Sequence, residues 1–90
     1  MGRQAREKPK RLAEKLFQIR DALGLSQSQM LRLIGMQEKG HRNFISDYER
    51  GVRLPSLLEL LAYARAAGIT VDTLIDDDLD LSSKLKGKRR

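Results

Sequence analysis

The chain has 90 residues, 40% of them hydrophobic, with two Phe, two Tyr and neither Trp nor Cys. That length supports one small domain burying about 60% of the surface its unfolded chain exposes, and without cysteine neither disulfides nor thiolate metal sites can supplement the core. The net charge of +6 is polarised: residues 1–20 carry seven Lys/Arg against two acids, 84–90 carry five Lys/Arg and no acid, and 55–83 carry one Arg against six acids.

Residues 1–9 are polar, basic and aperiodic, and are expected to form a disordered arm. They lack the apolar stretch of a secretory leader, and no run approaches the roughly 20 apolar residues of a membrane span, so a soluble, cytoplasmic protein is expected. Leu12, Leu16, Ile19 and Leu23 then recur as one apolar stripe and predict a first helix ended by Gly24. Ser26 followed by Gln29 is a capping box that opens a second helix, with Leu25 placed to staple onto Met30. Met30, Leu33 and Ile34 should face inward, and Gly35 should end the helix. Met36 to Gly40 reads as an exposed turn into which Met36 alone tucks inward.

From His41 or Arg42 to Arg50 helical periodicity returns. Phe44, Ile45 and Tyr48 gather on one side, whereas Arg42, Asn43, Ser46, Asp47 and Arg50 gather on the other. Gly51 and Pro55 stop this third helix. Ser56 with Glu59 repeats the capping box before a fourth helix whose buried stripe is Leu57, Leu60, Leu61 and Ala64. Gly68 closes it, and Thr70 caps a short fifth helix held by Val71, Leu74 and Ile75. No segment alternates with period two for long, so the expected class is all-α, with a domain at 10–79 and a basic flexible tail at 80–90.

Ile19-Arg20, Gly24-Leu25-Ser26-Gln27, Gly35, Ile45-Ser46, Tyr48-Glu49-Arg50-Gly51, Arg53, Pro55-Ser56-Leu57 and Ala64 to Gly68 resemble the Cro/repressor-type helix-turn-helix, the XRE family. The resemblance runs from about Leu12 to Ile75. It implies a five-helix bundle of the lambda-repressor-like type whose third helix enters the major groove of double-stranded DNA.

By that resemblance Arg42 and Asn43 occupy base-reading positions, with Asp47 one turn on. The chemistry agrees, since Arg matches guanine O6/N7 and Asn matches adenine N6/N7, while a carboxylate can accept from cytosine N4. As solvated helix surface the same residues would be unremarkable. Gln27 and Arg53 resemble phosphate contacts, and Lys39 and Arg50 are further candidates, although Arg50 also suits the negative end of its helix. The resemblance makes Arg20 and Glu49 a buried ion pair fixing the angle between the first and third helices.

Two departures from the family stand out. Nine residues separate Gly35 from Ile45, about four more than a short helix-turn-helix connection needs, so the turn between helices two and three is enlarged. Leu31 also stands where the family prefers Ala, and should push those helices apart.

Other chemistry is poorly supported. His41 is the single histidine and lacks the partners of a metal site. Asp76, Asp78 and Asp80 start like a calcium loop, but Leu81 replaces its glycine and Gly87 its final Glu. No nucleophilic triad or phosphate loop is present, and Phe17 and Tyr63 suit packing better than base stacking. Neither an enzyme, a cofactor nor a small-molecule ligand is implied. The expectation is a sequence-specific transcriptional regulator, a repressor, acting as a homodimer through helix five and the exposed side of helix four. The alternative is a protein-interaction module, such as an antitoxin or adaptor, whose acidic face around Asp72 to Asp80 takes a basic partner.

Overall fold

Five helices make up the regular structure of residues 9–36 and 43–81, the parts of the chain described in a computed structural model, and no strand occurs among them. Residues 1–8, 37–42 and 82–90 lie outside the described residues, and with them most of the expected arm, tail and enlarged turn.

The first helix, α1 (Leu12–Leu23), is the hub, packing against the third, fourth and fifth. Leu12, Leu16 and Ile19 are buried along it, and Leu23 packs at the core's edge. Gly24 ends it at φ 72°, a left-handed conformation that costs a residue without a Cβ little, and Leu25 N–H returns to Arg20 C=O at 3.2 Å.

The second helix, α2 (Gln27–Leu33), opens on reciprocal bonds, Gln29 N–H to Ser26 Oγ at 3.0 Å and Ser26 N–H to Gln29 Oε1 at 2.8 Å. Such a cap contributes about 1 kcal/mol. Its buried face differs from the expectation: Met30, Leu31 and Ile34 are buried, and Leu33 is 52% exposed. At about 100° per residue Met30, Ile34 and Leu31 span one arc, and Leu33 lies off its opposite flank. Leu31 therefore belongs to the core, and α2 still packs directly on the next helix. Met36 follows it inward, held by its N–H on Leu31 C=O at 3.0 Å.

Ten residues, 34 to 43, separate α2 from α3 (Phe44–Glu49). The third helix is shorter than its periodicity suggests. Asn43 takes the non-helical N-cap conformation and Arg50 the C-cap, as Asn favours caps over helix interiors. The fourth, α4 (Leu57–Ala67), repeats the capping box through Ser56 and Glu59. It buries Leu60, Tyr63, Ala64 and Ala67, whereas Leu57, expected inside, is 75% exposed. Leu57 has the right phase but occupies the first helical position, where α4 projects past the core. The fifth, α5 (Val71–Ile75), is capped by Thr70 and buries Leu74, while Ile75 at its last position is exposed. Packing continues past residue 79, because Leu81 is 3% exposed and part of the core. Among the described residues no helix is long and apolar enough to cross a membrane.

Candidate nucleic-acid interface

Helix α3 is a two-sided element six residues long. Ile45 and Tyr48 point into the core, and Phe44 packs at its margin against the Tyr48 ring. The Tyr48 hydroxyl donates to Glu59 Oε1 at 2.6 Å, and the same oxygen accepts Ser56 N–H at 2.9 Å. One carboxylate thus caps α4 and ties it to α3. Burial, followed by this hydrogen bond, pushes the Tyr48 hydroxyl's pKa well above its ordinary value.

The next residue, Glu49, clamps the same end of α3 to α1. Arg20 Nε and Nη2 donate to the two oxygens of Glu49 at 2.6 and 3.0 Å, and Nη1 donates to Leu25 C=O at 2.9 Å. Hydrogen bonding to Glu49 outweighs desolvation and raises the arginine's pKa. Gln27 reaches the same carboxylate, Nε2 to Oε1 at 3.4 Å. The start of α2 is therefore referenced to the group that fixes α3. A planar guanidinium suits this bidentate geometry, and Arg20 also lies over the Phe17 ring, 5.4 Å from its centroid. Phe17 itself is exposed.

The outward side carries the remaining candidates. Asn43 is exposed, and its side chain makes no capping hydrogen bond among the described residues. Asp47 Oδ1 accepts from Arg50 Nη2 at 2.7 Å, and its Oδ2 lies 3.5 Å from Arg53 Nε. The Arg53 guanidinium is stacked on Phe44, 5.0 Å from the ring centroid. Asn43, Asp47, Arg50 and Arg53 thus share the exposed side of α3 and the loop after it. Arg42 and Lys39 lie outside the described residues.

The sequence model of a helix-turn-helix family matches residues 16–74. This chain belongs to that family, in its XRE-type branch. No curated protein and no solved structure matches it. The family is one of DNA-binding domains in regulators rather than of enzymes, and α2, the connection and α3 are its helix-turn-helix.

One further assembly lies mainly outside the matched span and was not foreseen from sequence. The Asp77 carboxylate accepts the N–H groups of Lys10 and Arg11 at 2.9 and 3.0 Å, capping the start of α1, and these bonds lower its pKa. Arg11 donates to Asp77 C=O and Asp80 Oδ1, both at 2.7 Å. Lys15, 1% exposed, donates to the carbonyls of Thr73 and Asp76 at 2.7 and 2.8 Å, and desolvation lowers its pKa. This clasp joins the two ends of the helix-turn-helix domain. Lys15 was detectable, since at helical spacing it borders the apolar stripe of Leu12, Leu16 and Ile19. Its carbonyl partners were not, because nothing in a sequence marks which main-chain groups converge. Among the described residues no three His, Asp or Glu side chains converge as a metal site.

Proposed function

We propose that this domain is a sequence-specific transcriptional repressor that reads double-stranded DNA with the exposed side of α3. Asn43 and Arg42 carry base recognition with Asp47 beside them, and Gln27, Lys39, Arg50 and Arg53 take phosphates. The observation that carries this reading is the contrast within α3. Its inner side is fixed by Tyr48 on Glu59 and by Glu49 on Arg20, while its outer side carries an exposed Asn43 at its N-terminal end and Arg50 and Arg53, paired with Asp47, toward its C-terminal end. A rigidly held helix with free bidentate groups is what base readout requires, and neighbouring cations supply register without sequence information.

Homodimerisation on a two-fold site is part of the proposal, because a six-residue reading helix contacts few base pairs alone. Val52, Leu54, Leu57 and Leu58 are all at least half exposed and follow α3 directly. Exposed apolar side chains of this number suit a second copy, and their position just after α3 would set the spacing of the two reading helices. Cytoplasmic location goes with the DNA partner. The alternative of an acidic docking face loses support from the clasp, since Asp77 and Asp80 are already engaged by Lys10 and Arg11.

The test is selection from a random-sequence duplex pool at physiological salt. A repressor of this design enriches a pseudo-palindrome, and Leu57→Ser with Leu58→Ser lowers affinity for the full site more than for a half-site. Uniform, weak, salt-sensitive binding with no enriched site would overturn the proposal.

A further inference from the structure

Asp47 is an unusual group to place on a surface meant to meet phosphate, because a bare carboxylate there repels the backbone of DNA. In this structure it is not bare. Its two oxygens face Arg50 Nη2 at 2.7 Å and Arg53 Nε at 3.5 Å, so one carboxylate holds both basic groups at the C-terminal end of the reading surface. The arrangement is open enough to exchange partners: the side chains of Arg50 and Arg53 are 62% and 48% exposed, against 22% for Asp47. Arg53 keeps a second support, the Phe44 ring, whatever its carboxylate contact does.

Resting on the DNA-reading proposal above, we infer that Asp47 is a latch that releases Arg50 and Arg53 to phosphates only when a base amino group replaces them. On a non-cognate duplex, moving the arginines to phosphate leaves Asp47 unpaired beside a polyanion, so the arginines stay on the carboxylate and phosphate contact is withheld. On the cognate site, cytosine N4 donates to Asp47, and both guanidinium groups then become free to neutralise backbone charge. Specificity arises from this coupling as well as from the Asp47–base contact, because one base governs two otherwise sequence-blind contacts. Asp47 is in this sense a specificity-determining residue that also positions the phosphate-binding arginines.

Asp47→Asn keeps the side-chain shape and removes the charge that holds the latch. Binding of wild type and variant is measured on a random duplex and on the selected site between about 50 and 200 mM salt, where each phosphate neutralised adds about 0.9 to the slope of log K against log salt. On random DNA the variant binds more tightly, with a slope steeper by about 1 to 2, corresponding to one or two arginines released. Its ratio of selected to random affinity falls about 10-fold, and the preference for cytosine at one position relaxes. In an Arg50→Gln, Arg53→Gln background the same change leaves the random-DNA slope almost unaltered. The latch is overturned if Asp47→Asn leaves slope and ratio unchanged while wild type still selects a site. It is equally overturned if the variant weakens both duplexes alike, or if the full effect persists without the two arginines. Failure of the wild type to select any site would instead remove the DNA-reading proposal on which the latch depends.

Discussion

Two arginine–carboxylate pairs use carboxylates two residues apart on α3, Glu49 and Asp47, and differ little in length, 2.6 Å for Arg20–Glu49 and 2.7 Å for Arg50–Asp47. Their surroundings differ greatly. Arg20 and Glu49 are 17% and 8% exposed, with Leu25 C=O and Gln27 satisfying further groups, whereas Arg50 is 62% exposed. Burial makes the first pair hard to separate, because either partner left alone is a desolvated charge. Solvent makes the second pair weak and exchangeable. The same chemistry therefore serves as a joint between helices on one side of α3 and as a reversible contact on the other.

The largest effects are expected at the buried joint between α1 and α3. Arg20→Met and Glu49→Gln are each expected to lower unfolding free energy by about 3–5 kcal/mol, and the double variant by much less than the sum. Urea denaturation of the four proteins in a double-mutant cycle checks this, and additive losses would place the pair among the weak contacts. Next in size is Lys15→Met, which removes the donor for two main-chain carbonyls near the end of α5. It is expected to cost about 1–3 kcal/mol, by the same denaturation. Tyr63→Phe should move stability the other way, by up to about 1 kcal/mol, because its buried hydroxyl finds no hydrogen-bond partner among the described residues. Arg50→Ala should change stability by about 0.5 kcal/mol or less, while its effect appears in DNA affinity.

The clasp adds a pH test that sharpens the contrast further. Asp77 has a folded-state pKa below its ordinary 3.8 because it accepts two backbone N–H groups. Its contribution to stability is therefore fully present above the unfolded-state value and is lost as pH falls through the lower folded-state value. Asp77→Asn should flatten the acid limb of the stability profile in that window.

Much of this was legible in the sequence, and the parts that were not share a physical cause. Both capping boxes, the helix order and the inward positions of Leu16, Ile19, Ile45 and Leu60 follow from spacing and local chemistry. The errors fall where periodicity leaves a choice of flank or where a helix outruns the core. Leu33 and Leu31 both suit a helical stripe with Met30, and only the direction from which α3 packs decides between them. Leu57 and Ile75 stand at helix ends, where correct phase does not guarantee a covering neighbour. At the interface, Asp47 could be named from residue type, but not its bonds to Arg50 and Arg53, because long flexible side chains choose partners in three dimensions. Main-chain acceptors, such as those of Lys15, leave no residue-type signal at all.

The central claim, that the exposed side of α3 divides into base-reading and phosphate-binding groups, is tested most directly by measuring Asn43→Ala and Arg53→Ala against every single-base variant of the selected site. The account predicts that Asn43→Ala erases discrimination at one position, worth about 1–3 kcal/mol, while Arg53→Ala weakens by a similar factor every variant that keeps the base read by Asp47, and reduces the salt slope on those duplexes by about 1. If both substitutions weaken every duplex equally and leave each base preference intact, the division is contradicted.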